Sequence, residues 1–119
     1  MPELIRHFLQ LLFRYSTKYV IVYLMRKTER QKLATFMKAL GHPVRVQIIE
    51  ILSRDGSCIS GDLSSQLPVA ASTTSQHLSI LKDAGLVSGT IDGPRRCYCA
   101  NKPALEEARQ LLSGLHGSF

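Results

Sequence analysis

With 119 residues, 45% of them hydrophobic, the chain can build one modest core and not two. Three cysteines, an odd number with no secretory signal before them, argue against a disulfide framework and predict free thiols in a reducing, cytoplasmic compartment. The net charge of +6 is unevenly spread: residues 1–38 hold eight Lys and Arg against Glu3 and Glu29, while residues 39–119 hold seven of each sign. Contact with nucleic acid in the second part must therefore come from local placement, not from overall basicity.

The opening stretch, MPELIRHFLQLLFRYSTKYVIVYLM, carries Leu4, Ile5, Phe8, Leu9, Leu12 and Tyr15 at roughly helical spacing, interrupted by Arg14 and Lys18. Its longest apolar run, Tyr19 to Met25, is far shorter than the ~18 residues of a membrane-spanning helix, so no transmembrane segment is expected. Three readings fit residues 1–28 as an N-terminal hydrophobic and basic extension. They are an extra helix packing on a partner subunit, an upstream stretch that is not made because translation starts at Met25, and a helix lying on a membrane surface.

Residues 29–115 read as the folded domain. Leu33, Phe36, Met37 and Leu40 follow the i, i+3, i+4, i+7 pattern of an amphipathic helix that stops at Gly41-His42-Pro43. Pro43 suits the first turn of a second helix, with Val44, Ile48, Ile51 and Leu52 as its buried stripe. The piece SCIS reads as a brief strand. Ser60 is placed to cap a third helix with Leu63 and Leu67 facing inward, ended by Pro68. A fourth helix runs from Ala71 to Ala84, closed by a left-handed Gly85. Two strands, LVSGTI and RCYCA, are joined through the turn composition DGPR, and Lys102-Pro103 opens a last helix bearing Leu105, Ala108, Leu111, Leu112 and Leu115. The predicted class is mainly α with a small β-hairpin (α+β).

The pair of short helices within residues 61–87 carries the most specific chemistry. At ~100° per residue, Thr74, Leu78 and Leu81 share one face of the second helix and must be buried. Opposite them lie Ser72, Ser75, Gln76, Ser79 and Asp83. A face of Ser and Gln is an ordinary solvent surface in many helices. It also lets a helix approach the major groove closely, where Gln pairs with adenine and Ser reaches phosphates or base edges. Asp83 would repel phosphate, at the far end of the helix.

HPVRVQIIEIL, STTSQHLSILKDAGLV and the hairpin GPRRCYC together resemble the ArsR/SmtB family of bacterial winged helix-turn-helix repressors, over about residues 30 to 115. The resemblance implies a homodimer formed through the first and last helices, bound to a two-fold operator in double-stranded DNA and released by an effector. Carried across, Ala71 to Ala84 is the recognition helix, with Ser72, Thr73, Ser75, Gln76, His77 and Ser79 as candidate readers. Arg95 and Arg96 sit at the tip of the wing, where they would meet phosphates or a narrow minor groove, a merely solvated hairpin tip being the other reading. Lys82 and the cluster Arg26, Lys27, Arg30 and Lys32 are candidates for non-specific phosphate contacts, the cluster reading equally as a solvated helix start. Where the family commonly has a Ser-type cap this chain has Ala70, which leaves Ser72 to cap or the helix to begin loosely. His77, about 60° from the buried stripe, reads as a boundary residue, and no His or Cys at i+3 or i+4 makes it a metal ligand. His42 reads as a helix start.

Two metal sites familiar in the family are absent: Ile59 and Gly61 stand where one subset has a Cys-x-Cys pair, and Glu106, Glu107 and His116 lack the spacing of the other. No cofactor is required. Cys97 and Cys99 flank Tyr98, so in a strand they share one face about 7 Å apart at ~3.3 Å per residue, poorly placed for a disulfide with each other. Cys58 lies in the brief strand that, in winged-helix folds, pairs with the second strand of the wing. All three thiols are thereby candidates for a soft site suited to trivalent arsenic or antimony, while cadmium or zinc would want a fourth ligand. Simple burial of small apolar side chains and thiol oxidation are the competing readings. Sulfurs within about 4 to 5 Å of one another would favour chelation, and opposed faces would favour burial.

The leading function is a DNA-binding transcriptional repressor released by a thiol-reactive effector such as arsenite or antimonite. A redox-responsive or effector-independent regulator of the same fold, or a winged-helix module that binds protein, are the alternatives. No nucleophile-base set, paired catalytic carboxylates or phosphate loop is evident, so an enzyme is not expected.

Overall fold

The computed structural model describes residues 2–54, 58–61, 63–90 and 96–116, with side chains described for these except 2, 8, 9, 11–25 and 116. Pro2–Leu40 form one helix, α1, where the sequence suggests an extension and then a helix from Glu29. No Gly or Pro lies between Glu3 and Leu40, so nothing in the chain stops helix propagation before Gly41. The chain divides into two compact units, residues 1–32 and 33–119. In the first, Leu4 and Ile5 are exposed, as are Arg26, Lys27, Arg30 and Lys32. Among the described residues no helix is long and apolar enough to cross a membrane.

The second unit begins with the last turns of α1, which bury Leu33, Phe36 and Ala39. Helix α2 (Pro43–Arg54) opens on Pro43 and buries Val44, Ile48, Ile51 and Leu52, the stripe expected of it. His42 starts it directly, its Nδ1 accepting a hydrogen bond from the Val44 N–H at 3.1 Å.

Strand β1 is only Ile59–Ser60, followed by Gly61 at φ +97°. The third helix expected from Ser60 is not formed. Ser60 is committed to β1, and only a 3₁₀ turn, Ser64–Gln66, stands between Leu63 and Leu67. Both leucines are nonetheless buried, so the segment delivers its two apolar anchors without regular α-helix.

Helix α3 (Ala71–Asp83) buries Thr74, Leu78 and Leu81. Ala70 is its N-cap and supplies no side-chain hydrogen bond, and Ser72 does not replace it. Thr74 Oγ1 instead donates back to the Ala70 carbonyl at 3.0 Å. Gly85, at φ +84°, ends the helix as expected: the Leu86 N–H reaches the Leu81 carbonyl at 2.9 Å and the Gly85 N–H reaches that of Lys82.

Strands β2 (Val87–Thr90) and β3 (Cys97–Ala100) form the antiparallel wing, and β1 pairs with the other edge of β3 to give the order β1-β3-β2. Helix α4 (Lys102–Ser113) is capped by Asn101, whose Oδ1 accepts from the Ala104 N–H while its Nδ2 donates to the Gly85 carbonyl at 2.8 Å. That pair of bonds ties the start of α4 to the end of α3. The core joins all these elements: Phe36, Ile48, Leu52, Leu63, Leu78, Leu81, Leu86, Tyr98 and Ala108 form one cluster. At roughly 1.5–3 kcal/mol for each fully buried large side chain, Leu78 and Leu81 alone hold α3 firmly enough to present its opposite face.

Candidate nucleic-acid interface and thiol cluster

The outer face of α3 carries Ser72, Gln76 and Ser79 exposed, with Thr73, Ser75 and His77 half-buried at its margins. Ile80 belongs with them, 42% exposed. It lies one turn beyond Gln76, and its place on the helical wheel was legible. Its apolar character pointed inward instead. An exposed branched side chain is able to meet the methyl group of thymine.

Arg96 is half-buried, and its carbonyl accepts from the Gly61 N–H at 3.1 Å. Arg95, expected at the hairpin tip, lies outside the described residues, as do residues 91–94. Lys82 Nζ donates to the Gly89 carbonyl at 2.6 Å, so a side chain expected at phosphate links α3 to β2.

Three-dimensional packing also brings together groups that no local spacing reveals. The rings of His42 and His77 lie 4.4 Å apart and tilted by 46°. Burial, then the nearby His42 and Arg45, push the His77 pKa below its ordinary value. His77 Nδ1 and Arg45 Nε are both buried without a hydrogen-bond partner among the described residues. His77 is thus a half-buried ring on α3, packed against His42 of the α2 start, with its neutral form favoured.

The sheet sorts its residues by face. Tyr98 is 1% exposed and points into the core, where its hydroxyl donates to the Gly61 carbonyl. Since side chains alternate along a strand, Cys97 and Cys99 point the other way. The register sets Ser60 and Thr90 across from Cys97, Ser88 across from Cys99, and Ile59 across from Tyr98. Cys58, one residue before Ile59, therefore faces Cys99. The outer face of the wing sheet is a patch of three sulfurs and three hydroxyls, on which Cys58 and Cys97 are exposed and Cys99 half-buried. Burial does not account for these cysteines.

All three sulfurs lie within 4.8 Å of one another. Cys58 and Cys99 are joined in a disulfide with Cα atoms 4.2 Å apart, and Cys97 is free. The expectation of three free thiols is corrected for the first two: antiparallel pairing sets them directly opposite at the close spacing of a cross-strand pair. Gly89, at φ +117°, lets β2 pack closely against the other edge of β3, because a Cβ there would collide with the Cys97 carbonyl.

Comparison with known proteins agrees with this architecture. Residues 42–88 match the family described as "Bacterial regulatory protein, arsR family". The chain is 34% identical over 84 residues to the uncharacterized HTH-type transcriptional regulator Rv0081 of Mycobacterium tuberculosis, covering 67% of this chain and 74% of that protein. It is 33% identical over 86 residues to the HTH-type transcriptional regulator YgaV of Escherichia coli, covering 72% and 87% respectively. A solved structure described as a possible transcriptional regulator for arsenical resistance superposes with a TM-score of 0.58 at 28% identity, covering 66% of this chain and 81% of that one.

Proposed function

Because the chain belongs to the arsR family of bacterial regulatory proteins, a family of DNA-binding transcriptional regulators and not of enzymes, we propose that it is a cytoplasmic repressor. In this reading it binds a two-fold operator as a homodimer, assembled through its first and last helices, and releases it when a thiol-reactive effector such as arsenite or antimonite engages Cys58, Cys97 and Cys99. The observation that carries the effector assignment is the approach of all three sulfurs to within 4.8 Å on an outward face of the wing sheet. Three soft thiolates match the coordination preference of trivalent arsenic. Similarity to a solved protein described as a possible regulator for arsenical resistance supports the same choice.

Gln76 and Ser72 on the exposed face of α3 are the base readers, with Thr73, Ser75, His77 and Ser79 around them, and Arg95 and Arg96 serve phosphate or the minor groove. Gel-shift titration against the chain's own promoter region tests this. Gln76→Ala should flatten discrimination between operator and scrambled DNA. Arg96→Ala should weaken binding to both and reduce the salt slope by about 1. Parental behaviour of both variants would overturn the assigned surface. Arsenite added to the reduced complex should release the DNA, and an unchanged response in Cys58→Ser, Cys97→Ser and Cys99→Ser would remove the thiol assignment.

The Cys58–Cys99 disulfide favours a second reading, a regulator that responds to oxidation. Release of operator by peroxide without any metalloid is its expected sign.

A further inference from the structure

The three sulfurs do not stand in equivalent positions. Cys58 and Cys99 are direct cross-strand partners, whereas Cys97 is offset by two residues and faces Ser60 on one side and Thr90 on the other. The opposed pair is bonded, with Cys97 left free, yet all three sulfurs are close enough to share one centre. We propose that this is one site with two mutually exclusive states, a metalloid held by three thiolates and a Cys58–Cys99 disulfide, and that Cys97 is the residue that separates them, required for the metalloid and dispensable for oxidation. The proposal rests on the reading of these cysteines as the effector site and adds its regulation.

Both reactions balance on the groups present. In the reduced state arsenous acid exchanges its three hydroxyl groups for three thiolates. Three As–O bonds break, three As–S bonds form, and each thiol proton leaves with a hydroxide as water, with no change in the oxidation state of arsenic. In the other branch a hydroperoxide is the oxidant. The sulfur of Cys58, the more exposed of the pair, attacks its terminal oxygen, giving a sulfenic acid on Cys58 and releasing an alcohol or water. The Cys99 sulfur then attacks the Cys58 sulfur, the S–S bond forms, and water leaves. Two thiols have lost two electrons and two protons, and the hydroperoxide has been reduced. The disulfide removes two of the three ligands, leaving Cys97 as a single thiolate that holds a trivalent metalloid weakly. An oxidised protein is therefore blind to arsenite, and arsenite shields the Cys58–Cys99 pair from oxidation.

The experiment uses the full chain, with intact-protein mass spectrometry and thiol counting after exposure to arsenite, to hydrogen peroxide, or to each in turn. Reduced parent should take up one arsenic with loss of three titratable thiols. Parent treated first with peroxide should take up none and retain one free thiol. Cys97→Ser should form the disulfide at the parental rate while its arsenite affinity falls by roughly 100-fold, since losing one of three linked donors forfeits their effective concentration. Cys58→Ser should lose both products. Cys97→Ala serves as a second variant, and operator binding by each reduced variant confirms folding. If reduced parent fails to bind arsenite through three thiols, the effector reading itself fails. If it does bind, but peroxide-treated parent binds equally well or Cys97→Ser binds like the parent, that reading stands and the exclusive, Cys97-dependent site is overturned.

Discussion

Lys82, in the last turn of α3, donates to the carbonyl of Gly89 in the wing at 2.6 Å. The bond fastens α3 to β2 at the point where Gly89 faces Tyr98, between the rows that carry Cys97 and Cys99. Lys82→Met keeps most of the stem and removes the donor. Its expected effect is weaker operator binding through a looser wing, with the slope of log affinity against log salt unchanged. A phosphate-binding lysine would instead lower that slope by about 1, so salt titration of parent and variant decides the role.

Tyr98→Phe leaves the packing of a fully buried ring intact and deletes the hydroxyl that serves the Gly61 carbonyl. Loss of one partner from a part-buried bond should lower stability by about 1–3 kcal/mol. Urea denaturation at fixed redox state measures it, and an unchanged midpoint would show that water replaces the hydroxyl without cost.

Because burial, His42 and Arg45 hold the His77 pKa down, the unfolded chain takes up a proton at His77 before the folded chain does as pH falls. The stability that depends on the neutral ring is complete above the unfolded value, about 6.5. It is lost as pH drops from there through the lowered folded value, and levels off below it. Thermal denaturation between about pH 7.5 and 5 should show this decline in the parent and a flatter profile in His77→Gln. Equal slopes in the two proteins would rule His77 out as its source.

The Cys58–Cys99 bond closes a segment with a sequence separation of 41. On chain-entropy grounds it should stabilise the oxidised protein by about 2–4 kcal/mol over the reduced one. Melting curves with and without reductant should separate by several degrees for the parent and for Cys97→Ser, and coincide for Cys99→Ser.

What was legible in the sequence was whatever depends on near neighbours. The buried stripes of α2 and α3 and the left-handed close at Gly85 follow from spacing and residue type within a dozen positions. The face on which Gln76 is exposed follows from the same 3.6-residue period. The segment around Leu63 reads as an α-helix because two inward leucines four apart satisfy that period as well as they satisfy the 3₁₀ turn it forms. Two other features hinge on pairings across long stretches of chain. The opposition of Cys58 and Cys99 requires the β1-β3 register, and the contact between His42 and His77 requires α2 to pack on α3. Alternation within CYC fixes that its cysteines share a face, and only the assembled core fixes that Tyr98 takes the inner one.

That inner position of Tyr98 leaves the opposite side of the sheet to Cys58 and Cys97, both exposed, and to the half-buried Cys99. Ser60, Ser88 and Thr90 already occupy it beside the sulfurs, so exchanges between thiol and hydroxyl there should change the reduced fold by no more than about 0.5 kcal/mol. On the proposed reading, the sulfur-bearing face of the wing sheet can vary while the core beneath Tyr98 stays constant. Ser60→Cys, across from Cys97, would set a fourth thiolate beside the other three and favour the tetrahedral preference of zinc and cadmium over three-coordinate arsenic. On the proposed reading, ligand specificity can drift by single substitutions on this face while the outer face of α3 stays as it is.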